Sequence, residues 1–406
     1  MRLSRIKSVA LLACLGVAGG AGCPGSSQSG NTTAWTQTTV NNAAGAHPVA
    51  VEVADFDGDG RLDIVAAYTG AGTTSPAVVI FFQPTANTFT PVTIASGTDL
   101  TGIAALAVGD LDVDTHKDVV AACNGRIAYL HSPVDPTQAA GWTFNTIDQS
   151  SGTNIGQWND VAIGSINSSA RLDIVACNAS PGRLSWFRSP TDASTGTGWL
   201  RVDIDATTRT NATGVAILDV NADGRNDVIS TAPGETSARI AWYANPTNPV
   251  TGSWTKSTIG NLPAASRIAV GDLDGDNLAD VVVINPTDRQ IGWYKHPTTA
   301  TSTWTGFQIA AYTSNTPTDV KVADVNGDGQ LDVIAATRDS GTLRWFTPVG
   351  DQTLGWGENN LSDLTEAVGR IAVGDIDGDG RVDVAAPLQG ATSDLDNISW
   401  FLNPLP

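Results

Sequence analysis

Short apolar runs alternate with acidic loops along most of this chain, in an order that repeats. An apolar run ends in aspartate, as in Ala107-Val108-Gly109-Asp110, Ala269-Val270-Gly271-Asp272 and Ala372-Val373-Gly374-Asp375. A loop follows, and a second run leaves it, as in Asp63-Ile64-Val65-Ala66, Asp280-Val281-Val282-Val283 and Asp332-Val333-Ile334-Ala335. Two such runs a loop apart predict an antiparallel hairpin. A third run holds an aromatic pair and then proline: Trp186-Phe187 before Pro190, Trp242-Tyr243 before Pro246, Trp293-Tyr294 before Pro297, Trp400-Phe401 before Pro404. Proline ends the strand because it cannot donate to a ladder. A fourth run sets an aromatic five residues before an aliphatic, as in Trp254 and Ile259 or Trp304 and Ile309.

Four strands per unit, repeated at this spacing, predict the blades of a β-propeller. The loops begin at Asp55, Asp110, Ser165, Asp219, Asp272, Asp324 and Asp375, at intervals shrinking from 55 to 51 residues. Seven units carry the first three strands, and the last lacks a fourth. The missing strand matches Trp35-Thr36-Gln37-Thr38-Thr39-Val40 at the other end. The expected fold is all-β: a seven-bladed propeller of four-stranded antiparallel blades over residues 35–406, closed by an N-terminal strand that completes the last blade. Closure would leave no open sheet edge. The regular repetition assigns most of the 12 tryptophans to blade packing.

The first residues read differently. Arg2, Arg5 and Lys7 precede an apolar run from Val9 to Val17, and small residues lead to Gly20-Ala21-Gly22-Cys23. This is the make-up of a secretory signal over residues 1–22, too short to span a bilayer. The small residues before Cys23 resemble the bacterial lipobox, with Gly20 where that pattern usually has leucine. The resemblance implies cleavage before Cys23 and lipidation of its thiol. Residues 23–34 would then form a Gly/Ser/Thr-rich tether reaching on the order of 18 Å. Of the other cysteines, Cys123 and Cys177 fall on opposite strand faces and are expected to be buried free thiols.

The formal net charge is −19, and −22 once Arg2, Arg5 and Lys7 are gone. Such acidity argues against nucleic acid and anionic lipid surfaces as partners, leaving the lipid anchor as the membrane contact. The acid is concentrated in the loops. The clearest loop is Asp55-Phe56-Asp57-Gly58-Asp59-Gly60-Arg61-Leu62-Asp63. Carboxylates at positions 1, 3, 5 and 9 would converge on one point, and glycine at position 6 would allow the left-handed turn around it. Converging carboxylates repel unless a cation joins them, and all-oxygen donors on an irregular loop favour Ca²⁺. An EF-hand is ruled out, because its twelfth residue must be glutamate and these loops place Ala66, Ala121, Ser230, Val283, Ala335 and Ala386 there.

The loop with its closing aspartate instead resembles the FG-GAP and VCBS repeat family, the Ca²⁺-bound blades of integrin α-chain propellers and many bacterial secreted proteins. The resemblance implies six Ca²⁺ sites. Their ligands would be Asp55, Asp57, Asp59 and Asp63 in blade 1 and Asp110, Asp112, Asp114 and Asp118 in blade 2, where Thr115 replaces the turn glycine. Blade 4 would use Asp219, Asn221, Asp223 and Asp227, and blade 5 Asp272, Asp274, Asp276 and Asp280. Blade 6 would use Asp324, Asn326, Asp328 and Asp332, and blade 7 Asp375, Asp377, Asp379 and Asp383. Blade 3 has Ser165, Asn167, Ser169 and Asp173, with Ala170 in place of glycine, and is expected to stay empty, held by its own hydrogen bonds.

No catalytic residue is assigned: the chain has no Gly-x-Ser-x-Gly elbow, histidine-rich metal set or phosphate loop. His131 and His296 are expected to be solvated strand-end residues. By analogy with the family, ligands would bind on the end away from the aspartate loops. Candidate ligand residues there are Arg126, Arg183, Arg239 and Arg289, spaced as an arc before the third-strand aromatics, with Trp158 and Tyr312, aromatics off the repeat pattern. The bland alternative for the arginines is pairing with neighbouring acids. The expected function is a calcium-stabilised, membrane-anchored extracytoplasmic scaffold that binds a protein or glycan. The alternatives are a polysaccharide-active enzyme (lyase or hydrolase) and a purely structural envelope protein.

Overall fold

In a computed structural model, residues 34–405 are described, apart from 43–45, 71–73, 150–155, 168, 207–208, 354 and 391–395. The signal segment, Cys23 and the tether lie outside the described residues.

Seven antiparallel sheets form in chain order. Blade 1 runs from axis to rim as Pro48–Ala54, Asp63–Tyr68, Ala77–Thr85 and Thr88–Ser96. The innermost strands of blades 2 to 6 are Ala105–Gly109, Trp158–Gly164, Gly214–Leu218, Ile268–Gly271 and Pro317–Ala323. Each packs on the innermost strand of the next blade, and the series returns from blade 7 to blade 1, so the ring is closed. The N-terminal strand Thr36–Asn42 lies antiparallel to Asn397–Leu402, from Thr36 opposite Leu402 to Asn42 opposite Asn397. It supplies the outer strand of blade 7, as expected.

Seven apolar clusters correspond to the seven junctions between blades. The alternation of a strand explains how one run serves two of them. In Asp63–Tyr68 all six residues are buried. Val65 and Ala67 join the cluster shared with blade 2, while Ile64, Ala66 and Tyr68 join the one shared with blade 7. A strand buried on both faces must be apolar throughout, which is why the second strands read as unbroken runs. Rim strands such as Thr88–Ser96 are mostly exposed. Cys123 and Cys177 are free and buried in different junctions.

Blade 7 departs from the pattern. Its innermost strand is split into Ala367–Val368 and Ala372–Gly374. In the gap, Arg370 bridges to Ala50 of blade 1 in parallel register, donating its N–H to the Val49 carbonyl at 3.0 Å. A Cβ on Gly369 would lie 2.6 Å from that same carbonyl oxygen, so only glycine fits.

Candidate functional site

The aspartate loops follow the ends of the innermost strands and therefore share one end of the ring. In blade 1, Asp55 Oδ1 accepts the N–H groups of Gly58 (2.7 Å) and Asp59 (3.2 Å), and its Oδ2 accepts that of Gly60 (3.0 Å). Blades 2 and 5 repeat the arrangement around Asp110 and Asp272. Asp219, Asp324 and Asp375 hold the position-6 N–H in blades 4, 6 and 7. Two residues per loop are left-handed, not one. Position 6 has φ between 65° and 88°, and position 4 between 57° and 79°. Thr115 and Asn277 adopt this turn at position 6, and Val113 and Ala222 at position 4, despite their side chains. Such strain costs on the order of 1 kcal/mol each. The requirement at position 4 was not visible in the sequence, because Gly58, Gly275, Gly327 and Gly378 alternate there with Val113 and Ala222.

The closing aspartate is a buried latch. Asp63 Oδ2 accepts the Phe56 N–H at 2.9 Å and its Oδ1 the Gln83 N–H at 2.7 Å, tying the loop to the end of the third strand. Asp118, Asp173, Asp227, Asp280 and Asp383 do the same with Ser132, Ser189, Asn245, His296 and Asn403. In blade 6 the equivalent residue is Pro348, which has no N–H, so Asp332 Oδ1 lacks this backbone donor. Burial pushes Asp63, Asp118 and Asp280 up to about 7, and Asp227, Asp332 and Asp383 up to about 6, against the pull of those N–H groups.

The latch residue also joins blades. The amides of Gln83, Asn245 and Asn403 donate to the carbonyls of Ile376, Ile166 and Val325, each at position 2 of the preceding blade's loop. His296 Nε2 faces the Val220 carbonyl at 2.7 Å and its Nδ1 the Pro297 carbonyl at 2.6 Å. His296 is therefore buried, not solvated, because the ring takes the place of an amide at a junction. His131 is mostly covered and contacts Asp112 at 2.8 Å.

The donor sets fit a hard cation. In blades 1, 2, 5 and 7, three carboxylates bring oxygens within 4.8 Å of one another: Asp55, Asp57 and Asp63; Asp110, Asp112 and Asp118; Asp272, Asp274 and Asp276; Asp375, Asp377 and Asp383. Asn221 and Asn326 replace one carboxylate in blades 4 and 6 and hold the same turn through their side-chain oxygens. Tethered cations supply part of the balancing charge. Arg61, Arg225 and Arg381 pair with position 5, and Lys295 pairs with Asp274 and Asp276. Burial and the neighbouring carboxylates hold Asp57 and Asp377 above the ordinary carboxylate range. Blade 3 differs. Ala170 is not left-handed, and Ser165 Oγ donates to the Ser169 carbonyl, so the loop is closed by its own hydrogen bonds.

The FG-GAP-like repeat matches residues 55–121, 219–283, 272–335 and 324–386, more than half of the chain. The chain belongs to the FG-GAP-like repeat family. Between its matches the repeat skips 122–218, which contains blade 3, whose loop keeps only the carboxylate of Asp173. No curated protein matches the chain. Among solved structures it is similar to BBS1N, crystallised in complex with ARL6DN, at 12% identity and a TM-score of 0.54, covering 91% of this chain and 97% of that one. It is similar to an Agrocybe aegerita lectin that recognises non-reducing terminal N-acetylglucosamine, at 14% identity and a TM-score of 0.54, covering 89% and 86%. At these identities the likeness is one of fold.

At the opposite end of this FG-GAP-like propeller, the six candidate ligand residues are not gathered. Arg126 pairs with Asp99 at 2.7 Å, and Arg183 approaches Asp203 at 4.0 Å. Arg239 donates to Asn261 and Arg289 to the Thr313 carbonyl. They sit at the starts of third strands, one blade apart, and hold neighbouring segments. Trp158 is buried edge-to-face on Phe187, and Tyr312 packs at the junction of blades 5 and 6. Both aromatics fill core positions because their side chains face a neighbouring blade.

The sequence reading missed the axis. Arg370 of blade 7 reaches across the channel to Asp160 and the Asn159 carbonyl of blade 3. Asp160 also accepts the Val215 N–H at 3.0 Å, and Asp319 the Ile371 N–H at 3.0 Å, so each ties two adjacent blades. Lys321 and Glu52 pair at 3.4 Å, and Arg267 donates to the Thr213 and Asn159 carbonyls. Charges at the third to fifth residues of an innermost strand were the available signal, since these strands are otherwise apolar.

Proposed function

We propose that this FG-GAP-like propeller is an extracytoplasmic binding scaffold, anchored through Cys23, stabilised by Ca²⁺ on one end and recognising a protein or glycan on the other. The observation that carries this reading is the division of labour between the ends. Six wrapped aspartate loops crowd one end, while at the other the channel mouth opens as a cavity. Ca²⁺ would be held by the carboxylates and amide oxygens at positions 1, 3, 5 and 9. It would supply the charge that keeps the buried position-9 aspartate ionised. The loops' own part is to present those oxygens in a turn already fixed by backbone N–H groups. The similar folds support a binding role: one was crystallised as a protein complex and the other recognises a terminal sugar.

The test is calorimetric melting in EDTA and in 10 mM Ca²⁺, beside a glycan array and an envelope pull-down. With Kd in the 10⁻⁴–10⁻³ M range usual for extracellular modules, each site adds roughly 1.4–2.7 kcal/mol at 10 mM. Melting temperatures equal in the two buffers would refute the calcium role. Silence on both array and pull-down would refute the scaffold role.

A further inference from the structure

The channel mouth away from the aspartate loops is a cavity of about 320 Å³. Arg267, Arg338 and Arg370 line it, from blades 5, 6 and 7, and among the described residues no carboxylate does. That is unusual in a chain with a net charge of −19. Two of the three arginines make no ion pair among the described residues, and the third shares a single carboxylate. Arg370 spends one nitrogen on Asp160, and its Nε has no partner among the described residues. Arg267 donates to backbone carbonyls and makes no ion pair among the described residues. Its burial, with the like charge of Arg370 beside it, pulls its guanidinium down to about 10. Arg338 is exposed and makes no ion pair among the described residues. A preformed set of guanidinium forks in a concave, partly dry site is suited to an oxyanion held bidentately.

The remaining walls speak to size. A bare phosphate needs far less than this cavity, which lies at the small end of ligand sites. Pro286 and Pro317 offer rigid apolar surface beside the arginines. That arrangement suits a ring whose C–H face lies on proline while its acid group meets the guanidinium forks. We propose that the channel mouth binds the carboxylate of an acidic sugar unit, with Arg267, Arg338 and Arg370 as the anion clamp. This deepens, and rests on, the reading of the propeller as a binding scaffold.

The test uses trigalacturonate as probe, the neutral galactose trisaccharide as control and inorganic phosphate as competitor, by titration calorimetry at 50 mM salt. Trigalacturonate should bind saturably, the neutral trisaccharide should not, and equimolar phosphate should leave binding unchanged. Arg338→Ala should weaken binding at least tenfold with an unchanged melting temperature, because the side chain is exposed, and Arg338→Lys should recover only part of it. Absence of saturable binding, equal binding of the neutral sugar, an unaffected Arg338→Ala variant, or displacement by equimolar phosphate would each overturn the proposal. Array binding confined to neutral glycans, or a captured protein that Arg338→Ala still holds, would overturn the acidic-sugar site while leaving the scaffold reading intact.

Discussion

Replacing Asp160 with alanine is expected to cost this protein about 3–5 kcal/mol, the range for removing one partner of a buried ion pair. The structure gives three reasons. Asp160 is 8% exposed, so its charge is not simply exchanged for water. Its Oδ1 is the only carboxylate oxygen paired with Arg370 among the described residues, and Arg267 stands nearby with the same charge. Its Oδ2 accepts the Val215 N–H, which would be orphaned as well. An unfolding entropy of roughly 2.1 cal/mol/K per residue over residues 34–406 corresponds to about 1.3 °C per kcal/mol. Differential scanning calorimetry should therefore show a fall of about 4–6 °C. Asp160→Asn, which keeps an acceptor for Val215, should fall by less. The double variant Asp160→Leu with Arg370→Met should lie above Asp160→Ala, since apolar groups of similar volume replace a buried pair at little cost. A fall under 1 °C for Asp160→Ala, or a double-variant loss equal to the sum of the single losses, would refute the cross-channel pair as a source of stability.

Three further outcomes follow from the same geometry. Gly369→Ala should destabilise by about 1–3 kcal/mol, because its Cβ meets a backbone oxygen at the blade 7–1 junction; wild-type melting would show that the split strand yields freely. Deleting residues 34–42 should lower the melting temperature and promote association by exposing the edge of Asn397–Leu402, and a synthetic 34–42 peptide should restore part of it; unchanged melting of the truncated chain would sink the closure argument. Burial pushes the Cys123 thiol up to about 12 and raises Cys177 too, so peptide mapping should find both unmodified by a thiol reagent at pH 8 until guanidinium is added. Native labelling within minutes would contradict their placement.

The residues that could be read from the chain alone are those whose environment repeats. Seven loops in register set the number of blades. The unbroken second-strand runs marked strands buried on both faces, and the unmatched Trp35–Val40 segment marked the closing strand. These features are local: each hairpin carries its own pattern, so its role does not depend on where the ring places it. The wrapped aspartate turns were legible for the same reason, down to blade 3 as the exception.

What only the tertiary structure decided lies where the repeats differ or where the ring brings distant segments together. Arg370 and Asp160 are 210 residues apart and belong to blades that are not neighbours, so no period relates them. Gln83, Asn245, His296 and Asn403 serve one junction role with three residue types, which a reading by type separates. Trp158 reads as an off-pattern aromatic until it packs against blade 2, and the arginines of the arc are each taken up by their own neighbours, Asp99, Asp203, Asn261 and Thr313. The physical reason is common to all of these. A propeller's strands are specified within each blade, but its axis and junctions are made of side chains that meet only when the ring closes.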